Sequence, residues 1–301
     1  MELRHLRYFT VLAEELHFAR AAERLNIAPP TLTVQIQEIE RTLSTRLFTR
    51  TKRSVALTAA GGIFLQEART VLAAYERAET VGRQAGRGEI GRIEIGYVGS
   101  AAYAGVLQEQ TALFRAARPG VEINARELPM EQLPDLVRGG QVDIGFVRLP
   151  MTLPRGLKMR VLLQDFFCLA VPARHWLAEG GDPVRPVLLA GEAFVAPEQQ
   201  AGTYEVARRG RFQPRVVSVP GSLLAVLAQV SLGVGVSVLP SAVHSVVHLP
   251  NVMFRPIAGE PILSEVAAIF RDDEQSPAVT PFIRQVLQAG TYRHPIPKQA
   301  L

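Results

Sequence analysis

Near the start of the chain the hydrophobic positions recur at helical spacing. Leu6, Phe9, Leu12, Ala13 and Leu16 mark a first amphipathic helix, and Phe18, Ala21, Ala22 and Leu25 mark a second, shorter one. Its small alanines permit the close approach of a neighbouring helix. Asn26 breaks the pattern, and Pro29 or Pro30 suits the first turn of a third helix, where a missing N–H costs nothing. In that helix Leu32, Ile36, Ile39 and Leu43 form the apolar stripe, leaving Thr31, Thr33, Val34, Gln37 and Glu38 on other faces. From Arg41 to Leu57 follow Arg41, Arg46, Arg50, Lys52 and Arg53, without one Asp or Glu.

Short helices around a tight turn, followed by an acid-free basic segment, predict a winged helix-turn-helix. A helix presented this way places its N-terminal residues against base edges in the major groove of double-stranded DNA. The basic run suits phosphates, which supply most sequence-independent affinity. The competing reading is a small three-helix core with a solvated basic loop, and the adjacency of the two patterns favours DNA. At these residues the chain resembles the LysR-type transcriptional regulators, including regulators of aromatic-compound catabolism. The resemblance runs through MELRHLRYF, Ala21-Ala22-Glu23-Arg24-Leu25, Gln35-Ile36 with Ile39-Glu40, Leu47-Phe48 with Arg50, and Leu57-Thr58 with Ala60-Gly61. It implies base reading by Pro30, Thr31, Thr33, Val34 and Gln35, and backbone or minor-groove contacts by Arg50, Lys52 and Arg53. Relatives usually begin this helix with Gln-Pro and follow it with Ser-Arg. Here Pro29 replaces the Gln, Thr33 the Ser, and Val34 stands where Arg is frequent. These departures remove polar base-readers, although Thr33 and Val34 can still touch thymine methyls.

Further along, Phe64, Ala68, Val71, Tyr75, Ala78 and Gly82 step by four and three, the spacing of a heptad seam. A helix from Gly61 to about Gln84 either lies on its own domain or joins two subunits. The second reading is favoured, because a DNA-binding dimer needs its readers at fixed separation. Gly82, Gly86, Gly88 and Gly91 make a hinge. From Arg92 the texture changes to alternating strands and helices: strands at 92–98, 121–128 and 142–147, and helices at 103–117 and 130–138. That order predicts βαβ units and a mostly parallel sheet. A second set follows, with strands near 166–171, 215–219 and 234–239. The chain then returns to the first unit through a strand at 264–270 and a helix near 278–287. The expected organisation is a DNA-binding domain at 1–58, a linker helix at 59–88 and an α/β effector domain at 89–301. Within the last, two Rossmann-like subdomains (about 91–163 with 264–290, and about 164–263) enclose a cleft. This resembles the family's effector-binding domain, itself similar in fold to periplasmic solute-binding proteins. The tail from Thr291, rich in Pro and Lys, is expected to be loosely held.

Length and composition add bounds. The 301 residues, 48% of them hydrophobic, suffice for two or three packed cores, and a net charge of +5 agrees with an anionic partner. The one cysteine, Cys168, excludes an intramolecular disulfide and, within its apolar strand pattern, reads as a buried thiol. Met1 leads straight into a charged amphipathic helix, which predicts no signal peptide and a cytoplasmic protein. Ser222 to Val243 carries no Asp, Glu, Lys or Arg, but Gln229, Ser231, Gly233, Gly235 and Pro240 interrupt it, so no membrane span is expected.

In open α/β sheets ligands gather at the carboxyl ends of strands, near helix N-termini. Gly99 and Ser100 follow the first strand of the α/β region. Ser100 reads equally as a ligand hydroxyl or as a helix cap. Met130 follows the next strand, where the family often carries Thr, and suggests a more apolar pocket. Arg148 ends the VDIGFV strand and reads as a bidentate carboxylate clamp or as a salt bridge between subdomains. Gly202, Thr203 and Tyr204 are a weaker set before a later helix. Together these residues predict a small organic carboxylate as effector, with an aromatic character implied by the resemblance. Enzyme motifs are missing: Gly233-Val234-Gly235 has Val238 in place of a third glycine, and no GxxxxGK[ST] occurs. His244 and His248, four apart, lack a third metal ligand nearby. The expected function is a ligand-responsive transcription regulator, dimeric or tetrameric, without cofactor, working on promoter DNA and RNA polymerase. The alternative is a solute-binding module of the same fold without sequence-specific DNA binding.

Overall fold

The computed structural model describes residues 1–51 and 54–293, which form two compact units dividing at Gln84/Ala85. In the first unit α1 (Leu3–Glu15), α2 (Phe18–Arg24) and α3 (Pro29–Thr42) are followed by a hairpin of β1 (Phe48–Arg50) and β2 (Val55–Leu57), then by α4 (Ala59–Gly86). The apolar stripes read from the sequence meet in one core: Phe9, Leu12, Ala21, Ala22, Leu32 and Ile36 have no exposed surface. Phe9 anchors it, with ring centroids 5.3 Å from Phe48 and 4.8 Å from Phe64. Asn26, at φ 54°, makes the turn before α3, and the two prolines open that helix without costing a hydrogen bond.

The start of α4 is fixed by Thr58. Its hydroxyl donates to the Arg46 carbonyl at 2.8 Å and accepts from Gly61 N at 2.9 Å. Gly61 sits so close to the Leu47 carbonyl that a Cβ there would overlap backbone. The expected heptad seam divides in two. Phe64 and Ala68 pack into the core of the first unit, whereas Val71, at 45%, and Ala78 and Gly82 are exposed. The first half of α4 therefore lies on its own domain, and only the later half is left open for a partner helix.

The second unit contains β3 (Gly91–Tyr97), α5 (Gly99–Ala102), α6 (Val106–Ala117), β4 (Val121–Glu127), α7 (Leu133–Arg138), β5 (Ile144–Leu149) and the long β6 (Leu157–Pro172). Then come β7 (Ala193–Val195), α8 (Ala201–Gly210), β8 (Arg215–Ser218), α9 (Leu223–Ser231), β9 (Ser237–Pro240), α10 (Ala242–Val246), β10 (Val252–Arg255), β11 (Leu263–Arg271), α11 (Val279–Gln288) and β12 (Tyr292–Arg293). The main sheet runs β10-β6-β11-β5-β3-β4, with β9 and β12 also pairing with β6.

Only part of that sheet is parallel, which corrects the expectation of a mostly parallel sheet. β3 pairs in parallel with β4 and β5, but β11 runs antiparallel to both β5 and β6. The reason is the return of the chain: β6 carries it out to the second subdomain, and β11 brings it back in the opposite direction. Both crossings are unbroken strands of 16 and 9 residues, and the expected joints near 163/164 and 263/264 fall at or within them. Two helices are shorter than their patterns predicted. Gly105, at φ 80°, separates α5 from α6, and α7 waits until Leu133 with a proline in its first turn. The loose tail expected from Thr291 is instead tied for at least three residues. Thr291 donates its hydroxyl to the Val161 carbonyl at 3.1 Å, and β12 pairs with Leu163–Gln164.

Gly61→Ala should destabilise the chain by about 1–3 kcal/mol in urea unfolding, the usual effect of overpacking against backbone, because the Leu47 carbonyl cannot move without losing its bond to Thr58 N. Unchanged stability would show that the α4 start is not held by this close approach.

Candidate functional site

Helix α3 turns Leu32, Ile36 and Ile39 inward, and successive residues are rotated by roughly 100°, so Pro30, Val34 and Gln37 fall on the opposite side. Pro30, Thr31 and Gln37 are exposed, and Val34 is 57% exposed. Thr33 donates its hydroxyl to the Pro29 carbonyl at 3.0 Å, so its methyl is the group left for an outside partner. Gln35 is half-buried. The outward face of the first two turns thus carries Pro30 and Val34, with the Thr31 hydroxyl beside them.

Arg50 occupies a different position from the one expected. Its guanidinium pairs with Glu40 at 3.0 Å and lies over the Phe18 ring at 5.0 Å from the centroid. Glu40 also accepts from Leu47 N at 2.9 Å and Phe48 N at 3.1 Å. Arg50 and Glu40 together brace β1 against α2 and α3, so the residue that the resemblance assigns to the DNA backbone or minor groove also has an internal role. The expected contacts of Lys52 and Arg53 lie outside the described residues.

The second candidate site is the cleft between the two subdomains of the second unit. A small cavity of about 30 Å³ lies at the carboxyl ends of β3, β4 and β7 and beside the starts of α5 and α9. Gly99, Ser100 and Met130 line it, as the strand-end argument expected. Its apolar wall includes Val98, Phe167 and Leu223, and its polar wall includes Glu127, Glu198, Gln199 and Ser222. Two hydrogen bonds join the subdomains across the cleft: Met130 N donates to Glu198 Oε1 at 2.7 Å, and Gln199 Nε2 donates to the Arg148 carbonyl at 3.2 Å. Among the described residues no Lys, Arg or His lines this cavity.

Arg148 stands behind the cavity wall, with no exposed surface. Its Nη1 donates to Ser264 Oγ at 2.8 Å and faces Asp165 at 3.5 Å, and its Nη2 donates to the Ser100 carbonyl at 3.0 Å. Burial lowers its pKa to about 10, opposed by the Asp165 charge, so the guanidinium remains charged at neutral pH. Asp165, equally buried, accepts from Phe166 N, Ser241 Oγ and Ala242 N. The carboxylate clamp expected at Arg148 is corrected to the other reading of that residue, an internal ion pair. A guanidinium sealed in this way offers no fork to a ligand.

Two independent matches decide the family. Residues 3–62 match the model of the bacterial regulatory helix-turn-helix protein, lysR family, and residues 86–291 match that of the LysR substrate binding domain. The chain belongs to the LysR family of transcriptional regulators. It is 37% identical to the uncharacterized HTH-type transcriptional regulator YnfL of Escherichia coli, over 96% of this chain and 99% of that protein. It is 31% identical to the HTH-type transcriptional regulator ClcR of Pseudomonas putida, over 94% and 97% of the two chains. Among solved structures, full-length CbnR complexed with its target DNA matches with a TM-score of 0.81 and 26% identity, covering 96% of this chain and 99% of that one. The chain is therefore a DNA-binding regulator with an effector-binding domain, and the solute-binding module without DNA recognition is not favoured. Among the described residues no helix is long and apolar enough to cross a membrane.

Within this regulator the weaker expected set separates. Gly202 and Thr203 are buried in the first turn of α8, where a Cβ on Gly202 would meet the Phe167 ring. Tyr204 is 55% exposed and lines a neighbouring groove of about 650 Å³ with Arg208 and Arg209. Both arginines are bonded to Glu205, whose pKa their hydrogen bonds hold down at about 2. Sequence reasoning missed Glu127 and Glu198. Glu127 ends β4, and Glu198 follows β7, so the strand-end rule would have found both had it been applied to every strand. Cys168 is buried beside Asp165, and burial pushes its thiol up to about 12.

Asp165→Asn should destabilise the second unit by about 3–5 kcal/mol, since it leaves a buried guanidinium uncompensated; a change below about 1 kcal/mol in denaturant unfolding would contradict this. In the folded protein Cys168 should resist a maleimide at pH 8 and react only as the chain unfolds; rapid native labelling would show an accessible thiolate.

Proposed function

We propose that this regulator binds a pseudo-palindromic promoter site as a cytoplasmic homodimer or homotetramer and answers to an effector held in its inter-subdomain cleft. The observation that carries the reading is the outward face of α3, on which Pro30, Thr31 and Val34 project from the helix start. Thr33 adds its methyl, and Gln35 stands at the edge of this surface. Phosphate contacts by Lys52 and Arg53 complete the interface, while Arg50 holds the hairpin in place. In this arrangement residues 1–58 read DNA, 59–88 pair subunits and 89–301 sense the effector. The exposed Val71 near the middle of α4 and Val81 near its end support the pairing, because a half-site reader needs a fixed partner.

Ligand binding would favour one arrangement of the subunits over another and so change what RNA polymerase meets at the promoter. The effector class carried over from the sequence is a small organic carboxylate, for which Arg208 and Arg209 of the neighbouring groove, and not the internal Arg148, are the cations at hand among the described residues.

Footprinting on the DNA beside its own gene should show a protected region with dyad character. No such region, at low and moderate salt alike, would defeat the proposal. Val34→Ala should weaken binding to that site while leaving the slope of affinity against salt unchanged, since it removes a base contact and no phosphate contact. A flatter slope would place Val34 on the backbone instead.

A further inference from the structure

The side of α3 that faces away from the core carries a single stripe. Pro30, Val34, Gln37 and Arg41 follow one another at steps of four, three and four and so line up along the helix. They stand opposite the buried Leu32, Ile36 and Ile39, with Val34 57% exposed and Pro30 and Gln37 exposed on either side of it. Proline has no N–H to give, and valine offers only methyl groups. At the edge of the stripe the Thr33 hydroxyl is taken up by the Pro29 carbonyl at 3.0 Å. The amide of this stripe is therefore supplied by Gln37, whereas Gln35 is half-buried on the flank.

These groups differ in what they can tell apart. In the major groove thymine presents a C5-methyl group, and adenine an N7 acceptor beside an N6 amino donor. Guanine presents two acceptors and cytosine a donor. Val34 and the Thr33 methyl find a matching surface on thymine. An amide, with its C=O acceptor and NH2 donors, matches adenine through two parallel hydrogen bonds; on the other bases it finds acceptors or a donor alone. The exposed Thr31 hydroxyl both donates and accepts, and so discriminates less. Helical rise puts Gln37 about 4.5 Å along the axis from Val34, against a step of roughly 3.4 Å between bases of one strand. Arg41 lies about 6 Å further on, with its side chain 81% exposed and Glu38 at 3.8 Å. It stands beyond the helix start that enters the groove, where a charge meets phosphates.

We infer that Gln37 is a specificity-determining residue of this regulator, reading an adenine by two hydrogen bonds in a base pair next to a thymine whose methyl packs on Val34 and Thr33. The inference rests on the reading of α3 as the recognition helix and adds which bases it selects.

The test begins with the full chain selecting its site from a random duplex library. Fluorescence anisotropy at fixed salt then compares the selected duplex with single-base replacements. Uracil in place of the contacted thymine removes only the methyl and should weaken binding about three- to five-fold, an effect that should shrink in Val34→Ala. In place of the contacted adenine, 7-deazaadenine lacks the N7 acceptor and should weaken binding about five-fold. Gln37→Ala should weaken binding about ten-fold, and 7-deazaadenine should then add nothing further. Gln37→Glu, an acceptor without a donor, should move the preference at that position from adenine to cytosine. Because Gln37 is exposed, both variants should melt with the parent chain. A selected site that binds equally well with uracil and 7-deazaadenine, or whose preference survives Gln37→Ala and Gln37→Glu, would overturn the inference and leave α3 as the recognition helix. A library that yields no enriched sequence would overturn the recognition-helix reading and the inference with it.

Discussion

The buried pair of Arg148 and Asp165 is the constraint on which the second unit depends. Arg148 comes from the end of β5, Asp165 from β6 and its partner Ser264 from β11, and Asp165 and Ser264 face each other in register where the two strands cross. The same guanidinium holds the Ser100 carbonyl at the cleft, and the same carboxylate holds Ser241 and Ala242 at the start of α10. Two buried charges carry a desolvation cost, offset here by their pairing and by the bonds to Ser264, Ser100, Ser241 and Ala242, with Arg148 Nε left without a partner. Their bonds therefore lock strands from both subdomains at one point. The cleft opens beside that point, and its rims are joined by the bonds of Glu198 and Gln199.

This arrangement explains why an arginine at a strand end does not signal an anion here. An exposed Arg148 would have made the cleft positive. Pairing with Asp165 removes its charge from the cavity, and Glu127 and Glu198 then set the sign. The first unit uses the same device on a smaller scale. Glu40 collects two backbone N–H groups and Arg50, and by doing so turns a residue of the basic segment into a brace for the hairpin. In both units a charge that reads as ligand-directed along the chain is spent on holding elements together.

Much of the architecture was legible along the chain because periodicity reports directly which face of an element is buried. The stripes of α1 and α3 and the alternation of β3 needed nothing beyond the spacing of Leu6, Phe9, Leu32, Ile36, Ile93 and Ile95. The strand-end argument likewise found Gly99, Ser100 and Met130. It missed Glu127, the last residue of β4, and Glu198, on the loop after β7, because only the folding of two subdomains on each other brings these two to one cavity. The direction of β11 was also hidden, since an apolar strand pattern is the same read either way.

By itself the sequence determined the DNA-reading helix, the order of elements, the two-subdomain plan and the family, because each rests on local spacing or on contiguous motifs. Only the tertiary structure decided which charges are free. Whether Arg148 and Arg50 meet a ligand or a neighbouring carboxylate depends on residues 17 and 10 positions away, and the sign of the cleft depends on Glu127 and Glu198, far apart in the chain. Pairing of charges is a matter of distance in space, and the chain's own periodicity carries no record of it.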